Sequence, residues 1–268
     1  MNKIQLAIVV SDLHCGSVVG LAAPNTTTEH GNVVGFGSNV HQAWLWDNWA
    51  SMIEQVRAIV RADDAALIIN GDATEGVHHR NDAEILASNI ETHINMAHQC
   101  LAPLAELCKE VFVTAGTECH TRNMENVLAQ RLGAVGGKAK DKWLIRINDC
   151  LIDVAHHMPT SGRAYLEASS MSICMGNARQ NYLRCGHEVP RVYLRGHRHC
   201  GGHYSDGNSL FCATGAWQFL TRHGHKVVTD SIPRPSVVIL DWRQRRSGEL
   251  PDVKEIIFNP PQNEITNL

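Results

Sequence analysis

The hydrophobic and polar positions in the first half of the chain alternate between short apolar runs and longer amphipathic stretches. The runs consist almost entirely of Ile, Leu, Val and Ala, which is typical of buried strands. In the longer stretches apolar residues recur at helical spacing, and Asn81 or Asp82 would cap the second stretch. The pattern predicts strands at residues 4–10, 65–69 and 111–114 and helices at residues 41–62 and 81–108. A polar, glycine-rich stretch at residues 15–40 is long enough to indicate a functional loop.

The second half of the chain contains mostly strand-like segments. The pattern predicts strands at residues 142–147, 151–155, 191–195, 209–213, 236–241 and 253–258, with helical patterns at residues 123–132 and 163–184. Strands that alternate with helices and are followed by further strands indicate an α/β fold whose second half adds an antiparallel or mixed sheet. We expect a single domain over residues 1–259 and a loose tail over residues 260–268.

Composition narrows the functional classes. Of the 268 residues, 44% are hydrophobic and 19% are charged, which excludes a disordered tail protein. The 24 Lys and Arg against 27 Asp and Glu give a net charge of −3, so nothing indicates binding to a long nucleic-acid backbone, although a local basic patch would still allow it. No stretch approaches the roughly 20 apolar residues that span a bilayer, so we expect no membrane partner.

The cysteines, the first residues of the chain and the histidines add further expectations. The 9 Cys contain no Cys-x-x-Cys pair, and residues 1–14 carry one Lys and a short apolar run without a cleavage site. We therefore expect reduced thiols, a first strand rather than a signal peptide, and a cytoplasmic location. The 16 His invite a search for a metal site, because neutral imidazole is the commonest ligand of transition metals.

Residues of types that can bind metals follow the predicted strands at the point where each strand ends. The residues concerned are Asp12, His14, Asp72, Glu118, His120, His156, His157, His197 and His199. In open α/β sheets ligands bind beyond the carboxyl ends of the strands, so five segments would deliver these side chains to one edge. The Gly-His-x-His sequence at residues 196–199 is the motif least expected by chance in a chain with 21 Gly and 16 His.

In this order the motifs resemble those of the calcineurin-like metallophosphoesterases. The resemblance covers residues 4–200 and includes an Asp-x-His, a Gly-Asp, a Gly-led turn with Glu and His, a further His and a Gly-His-x-His. It implies a four-layer α/β/β/α sandwich of two mixed sheets, with two divalent metal ions at the sheet edge. The Gly-Thr-Glu-x-His form of the third motif fits a phage or prokaryotic subgroup, and hence a prokaryotic or phage-infected cell.

The resemblance also implies the metal ligands. Asp72 would bridge the two ions and offset their mutual repulsion. The other residues that look like ligands are Asp12, His14 and His199 for the first ion and His156 and His197 for the second. Mixed imidazole and carboxylate sites suit Mn, Fe, Zn or Ni, and manganese is our first choice. Two such ions acidify a shared water and clamp the phosphoryl oxygens of a phosphate ester.

The third motif departs from the family pattern. The family usually has Gly-Asn-His followed by an acid, whereas this chain has Gly-Thr-Glu-Cys-His at residues 116–120. We expect Glu118 to bind the second ion and His120 to protonate the leaving group. In the alternative, Thr117 is a weak ligand and Glu118 lies behind it. The candidates for substrate contact are Arg122, Arg198 and His157, the last of which occupies the usual Gly position.

The sequence therefore predicts a dinuclear metal-dependent phosphoesterase. The sequence does not distinguish phosphomonoester from phosphodiester substrates. The net charge favours a small phosphoester or nucleotide over a long nucleic acid without excluding a nuclease. Two alternatives belong to other classes. One is a relative that retains the fold as a binding or scaffold module, which the altered third motif supports. The other is a zinc-stabilised nucleic-acid binder, although the chain lacks the Cys and His spacing of such a unit.

Overall fold

The computed structural model describes residues 3–28, 31–37, 39–61, 64–78, 82–121, 123–158, 167–222, 224 and 232–261. Strands and helices are numbered in chain order. Within these ranges, every helix is too short or too polar to span a lipid bilayer.

The first of two five-stranded sheets combines strands from both halves of the chain. Its members are β1 (Leu6–Val10), β4 (Ala65–Asn70), β5 (Glu110–Thr114), β11 (Ser236–Asp241) and β12 (Asp252–Ile257). They lie in the order β12-β11-β1-β4-β5. The strands β1, β4 and β5 run parallel, whereas β11 and β12 are antiparallel to their neighbours. The residues of β1 and β4 are all buried, because other layers cover both faces of the sheet.

The second sheet is built in a similar way from the later part of the chain. Its members are β6 (Lys142–Ile147), β7 (Cys150–Ala155), β8 (Val192–Arg195), β9 (Gly202–Ser205) and β10 (Leu210–Ala213). They lie in the order β6-β7-β8-β10-β9. The central strands β7, β8 and β10 run parallel, and the two edge strands are antiparallel to them. Both sheets are therefore mixed.

Helices and short turns connect the strands. The helices are α1 (Val40–Ile59), α2 (Ile90–Ala105), α3 (Glu118–Thr121), α4 (Met124–Arg131) and α5 (Glu167–Arg184). A short hairpin of β2 (Thr26–Thr27) and β3 (Val33–Val34) interrupts the long loop between β1 and α1. Single 3-10 turns cover Asp82–Glu84 and Val135–Gly137.

Three apolar layers hold these elements together. The layer between the first sheet and helices α1, α2 and α4 includes Leu6, Ile8, Leu45, Leu101 and Leu128. The layer between the two sheets includes Val9, Ile68, Val154 and Leu194. The layer between the second sheet and α5 includes Met171, Met175, Tyr193 and Phe211. The order helix, sheet, sheet, helix confirms the predicted four-layer α/β/β/α sandwich.

The second helix begins at Ile90, well after the start that the sequence pattern predicts. Asn89 is its N-cap, because the Asn89 side chain accepts a hydrogen bond from the backbone N–H two residues on (2.7 Å). The residues before it pair with the loop after β1, where the N–H of Leu86 donates to the carbonyl oxygen of Gly16 (2.7 Å). Long-range pairing therefore overrides the local helical spacing. The sequence pattern also missed β2, β3 and β9, because such short strands carry little periodic signal.

Replacing Asn89 by Ala should lower the free energy of unfolding by about 1 kcal/mol, because the first turn of α2 loses its cap. The exposed neighbour Ser88 offers a matched control, and Ser88→Ala should change the free energy by less than about 0.5 kcal/mol. Urea denaturation of both variants measures the difference. Equal costs, or a larger cost at Ser88, would show that the helix is capped elsewhere.

Candidate metal centre

The carboxyl ends of strands from both sheets meet at one edge of the sandwich. Asp12 follows β1, Asp72 follows β4, His156 follows β7, and His197 follows β8. Nε2 of His156 lies 3.0 Å from Oδ2 of Asp72 and 3.9 Å from Oδ1 of Asp12, so side chains from the two sheets are in contact. The structure therefore brings together residues that are far apart in the sequence.

The first group of potential ligand atoms joins Asp12, His14 and His199. Nε2 of His14 lies 3.2 Å from Nε2 of His199. Oδ1 of Asp12 lies 3.4 Å from the His199 nitrogen and 4.0 Å from the His14 nitrogen. The backbone N–H of His197 donates to Oδ2 of Asp12 (3.1 Å), which fixes the orientation of the carboxylate. One oxygen and two imidazole nitrogens that converge in this way can hold one metal ion.

A second group surrounds Asp72. Its Oδ2 faces Nε2 of His156 and accepts a hydrogen bond from the hydroxyl of Thr117 (3.0 Å), and its Oδ1 accepts from the backbone N–H of Thr117 (2.7 Å). The Thr117 hydroxyl also lies 3.2 Å from Nδ1 of His197. Oxygens of Asp72 and Asp12 and a nitrogen of His156 all lie within 4.8 Å of one another. The carboxylate of Asp72 is therefore shared between the two groups.

Backbone strain is concentrated in these residues. Five of them have the left-handed conformation, namely Asp12 (φ 53°), His14 (φ 48°), Asp72 (φ 50°), His197 (φ 71°) and His199 (φ 59°). Non-glycine residues adopt this conformation rarely, at a cost of about 1 kcal/mol or more each. Elsewhere in the described ranges it occurs, glycine aside, at Asn123, Asn148 and Asp149. Clustering of such strained residues at one place is typical of a functional site.

Two glycines allow the motif loops to approach the carboxylates. A Cβ atom on Gly116 would overlap Oδ1 of Asp72, and a Cβ atom on Gly196 would lie 2.8 Å from Oδ2 of Asp12. A residue without a side chain is therefore required at both positions. This close approach is the physical reason why the third and fifth motifs begin with glycine.

The buried carboxylates keep their charges. Burial raises the pKa of Asp12, but His156 and His199 lower it to about 2. Burial acts on the pKa of Asp72 in the same direction, and His156 and His14 nevertheless hold it far below its usual range. Two charged carboxylates beside imidazole nitrogens form a donor set that binds first-row divalent metals.

The hydrogen bonds of His156 test whether a metal ion fits this set. Nδ1–H of His156 donates to the carbonyl oxygen of Asn70 (2.7 Å), so Nε2 faces Asp72 with either a lone pair or a second proton. Burial opposes that proton, but Asp12 and Asp72 raise the pKa of His156 to about 10. A divalent ion would meet the same need for positive charge and would accept the Nε2 lone pair. The residues present therefore fit bound divalent ions.

The sequence analysis missed Glu75, a buried carboxylate behind His14. Nδ1–H of His14 donates to Oε2 of Glu75 (2.9 Å), which leaves Nε2 of His14 for a metal ion. Oε1 of Glu75 lies 3.1 Å from Nε2 of His78, and the side chain of Gln218 donates to Oε2 (3.1 Å). Burial opposes its charge, but His14 and His78 hold the pKa of Glu75 well below its usual range. A signal was present, because Glu75 stands three residues after Asp72 in a Gly-Asp-x-x-Glu sequence.

A second buried carboxyl group, on Glu125, joins two of the motif loops. It accepts hydrogen bonds from the backbone N–H groups of Gly116 (2.7 Å) and Ala73 (3.4 Å). Burial and the nearby charge of Asp72 raise the pKa of Glu125 to about 8. Nothing in the sequence indicates this role, because Glu125 lies in the first turn of α4 among ordinary helical residues.

The residues of the third motif have different surroundings. Nδ1–H of His120 donates to the carbonyl oxygen of Glu75 (2.8 Å), and its ring centroid lies 4.8 Å from that of His14. Glu118 is exposed at the first position of α3 and, as far as the described residues extend, belongs to none of the groups of converging donor atoms. The hydroxyl of Thr117, by contrast, contacts both Asp72 and His197. This arrangement favours the alternative in which Thr117 is the weak ligand, and a ligand role for Glu118 stays a prediction.

The three predicted substrate contacts differ in setting. Arg122 lies outside the described residues, and Arg198 is half-buried. His157 is exposed, and its ring centroid lies 5.0 Å from that of His156 and 4.7 Å from that of His197. Contact of these residues with a substrate stays a prediction.

Comparison with known proteins finds similarity at the level of structure. No family model matches the sequence, and no curated protein matches it. Among solved structures, the chain is similar to a novel archaeal phosphodiesterase, with 12% identity, 94% of this chain and 99% of that chain covered, and a TM-score of 0.45. It is also similar to wild-type Vps29 from Entamoeba histolytica in complex with zinc, with 10% identity, 95% and 99% covered, and a TM-score of 0.42. A third is a conserved uncharacterized protein from Streptococcus pneumoniae, a predicted phosphoesterase, with 17% identity, 96% and 99% covered, and a TM-score of 0.37.

The order of the layers and the positions of the motif residues both match what the resemblance implies. Two mixed sheets lie between helical layers, and side chains from each of the motifs meet at the edge where the parallel strands of both sheets end. The chain therefore has a four-layer α/β/β/α architecture, whose motif residues lie where the resemblance to the calcineurin-like metallophosphoesterases places them. Membership of the phage or prokaryotic subgroup with Gly-Thr-Glu-x-His stays a prediction.

Replacing Thr117 by Ala should weaken metal binding by about tenfold, because the hydroxyl that contacts Asp72 and His197 is lost. Glu118→Ala tests the rival ligand on the adjacent residue, and it should leave the affinity unchanged where Thr117 is the ligand. Calorimetric titration of the metal-free protein with Mn²⁺ measures both. A larger loss in Glu118→Ala would show that Glu118 moves into the centre when a metal binds.

Proposed function

We propose that this protein hydrolyses phosphate esters with two divalent metal ions. The observation that supports this most strongly is the convergence of carboxylate and imidazole donors from both sheets around the shared carboxylate of Asp72. When bound, two ions supply a nucleophile at neutral pH and positive charge against the phosphoryl oxygens.

The two groups of donor atoms indicate which residues would hold each ion. Those for the first ion are Asp12, His14 and His199, and those for the second are His156, His197 and the hydroxyl of Thr117. Asp72 would serve both, since its oxygens lie beside donors of either group. Manganese is the first candidate from the sequence, and the donor set also suits iron, zinc and nickel.

Neighbouring groups fix the orientation of the ligand imidazoles. Glu75 accepts the Nδ1 proton of His14, and the carbonyl oxygen of Asn70 accepts that of His156. Each contact selects one tautomer and one ring orientation, so that the opposite nitrogen faces the cluster. Preorganisation of this kind reduces the free energy needed to assemble the site.

His120 is the group that we propose protonates the leaving oxygen. Its Nδ1 proton is held by the carbonyl oxygen of Glu75, so Nε2 is the atom that would release a proton to substrate. Burial and the neighbouring His14 lower the pKa of His120, which makes its protonated form a stronger acid. Geometry and acidity therefore agree on the same residue.

The substrate that we favour is a small phosphoester or a nucleotide. The net charge of −3 does not support a groove for a long nucleic-acid backbone. Turnover of p-nitrophenyl phosphate, its bis ester, a set of nucleotides and single-stranded DNA, with and without a chelator, tests the proposal. Hydrolysis of one ester class that the chelator abolishes would support it.

A second candidate is a binding module that has lost catalysis. It is favoured by the third motif, where a neutral hydroxyl contacts Asp72 and Glu118 is exposed. This candidate predicts that metals bind while none of the esters and nucleic acids in the same panel is hydrolysed.

Replacing Asp72 by Asn should remove at least one metal ion per chain and nearly all activity, because the shared negative charge is lost. The exposed Asp47 on α1 provides the matched control, and Asp47→Asn should leave both unchanged. Metal content by mass spectrometry and turnover are measured on the same samples. An active Asp72→Asn variant with both ions bound would contradict the bridging role.

Replacing His120 by Ala should slow esters with poor leaving groups by about 10² to 10⁴-fold, and p-nitrophenyl esters much less, because only poor leaving groups need a proton. The variant His41→Ala, at an exposed position on α1, is the control. Rates for a series of phenyl and alkyl phosphates give the dependence on leaving-group pKa. Equal losses across the series would mean that His120 is not the acid.

A further inference from the structure

Three imidazole rings form a compact triangle at the edge of the cluster. The ring centroids of His156, His157 and His197 lie 5.0, 4.7 and 5.2 Å apart in pairs. The three planes are inclined to one another by 73°, 73° and 74°. One nitrogen from each ring lies within 4.8 Å of the other two. The ring centroids therefore form a nearly equilateral triangle.

These spacings match three imidazoles on one metal ion. A Zn–N bond of about 2.1 Å places each ring centroid about 3.2 Å from the ion, and angles of about 90° to 109° between ligands then separate the centroids by about 4.5 to 5.2 Å. All three observed separations lie in that range. Each ring also has a nitrogen within 4.8 Å of a nitrogen of the other two, so the separations are compatible with one shared ion.

The other donors near the second ion leave room for this third imidazole. The carboxylate of Asp72 is shared, and the hydroxyl of Thr117 is neutral and already donates to Asp72. The side chain of Glu118 is exposed and, among the described residues, belongs to none of the groups of converging donor atoms. His157 is exposed as well, which agrees with a ligand on the open side of a catalytic centre.

We propose that His157 is a ligand of the second metal ion, and that the His156, His157 and His197 triangle makes this site prefer zinc over manganese. The inference rests on the dinuclear centre of the proposed function and changes the role of His157 from substrate contact to ligand. Manganese prefers oxygen donors, whereas three imidazoles and one carboxylate suit zinc. The first group, with Asp12 and two imidazoles, has one nitrogen fewer, so the two sites differ in metal preference.

The experiment compares the wild-type protein with His157→Ala by metal binding, without reliance on turnover. Metal-free samples are equilibrated with buffers of fixed free Zn²⁺ or Mn²⁺ and analysed for metal content. The exposed His187, just after α5, provides the matched control, His187→Ala. We expect the wild-type protein to bind two zinc ions per chain, and His157→Ala to lose affinity for one of them by at least about tenfold. The affinity for manganese should fall less, so the ratio of zinc to manganese affinity should narrow at that site.

Three results would overturn the inference. They are unchanged zinc affinity in His157→Ala, equal losses for zinc and manganese, and a wild-type protein that binds no second zinc ion. Unchanged metal binding with a raised KM would return His157 to the role of substrate contact and leave the phosphoesterase proposal intact. Loss of zinc from His157→Ala in a protein that hydrolyses no ester would support the ligand assignment while the proposed function fails.

Discussion

Two carboxylates, Asp12 and Asp72, are buried in the same small cluster, and the rest of the site is arranged around the positive charge that they require. An uncompensated buried charge costs several kcal/mol, so each oxygen needs a hydrogen-bond donor or a cation. Backbone N–H groups of Thr117 and His197 supply part of this, and the imidazole of His156 faces both carboxylates. The remaining requirement for positive charge is what makes the cluster suitable for divalent ions.

The backbone of the motif loops meets this requirement at a cost in strain. Ligand residues adopt left-handed conformations that are unfavourable for non-glycine residues, and they persist because both sheets and the surrounding loops fix them. Glycines at positions 116 and 196 remove the side chains that would collide with the carboxylates. The buried carboxyl group of Glu125 then joins two of the loops through backbone N–H groups. The fold therefore stabilises a geometry that the loops alone would not adopt.

Local patterns predicted the α/β elements and placed the motif residues at the ends of strands, whereas the four-layer sandwich and the ligand set followed from the resemblance of the motifs. Apolar runs mark buried strands, and a metal-binding residue directly after such a run must lie at the carboxyl end of the strand. The start of α2 was wrong because the bond between Leu86 and Gly16 depends on a partner far away in the sequence. For the same reason Glu125 carried no signal. The choice between Thr117 and Glu118 turns on where a four-residue helix begins, which composition and spacing do not determine.

The origin of the ligands in two different sheets has a thermodynamic consequence. Asp12, His14 and Asp72 follow strands of the first sheet, and His156, His197 and His199 follow strands of the second. Each proposed ion would take donors from both, so its binding energy would act across the interface between the sheets. A ligand that binds only the folded state adds about 2.7 kcal/mol of stability at a hundred times its Kd. The cohesion of the two halves of the sandwich would then depend on the free metal concentration around the protein.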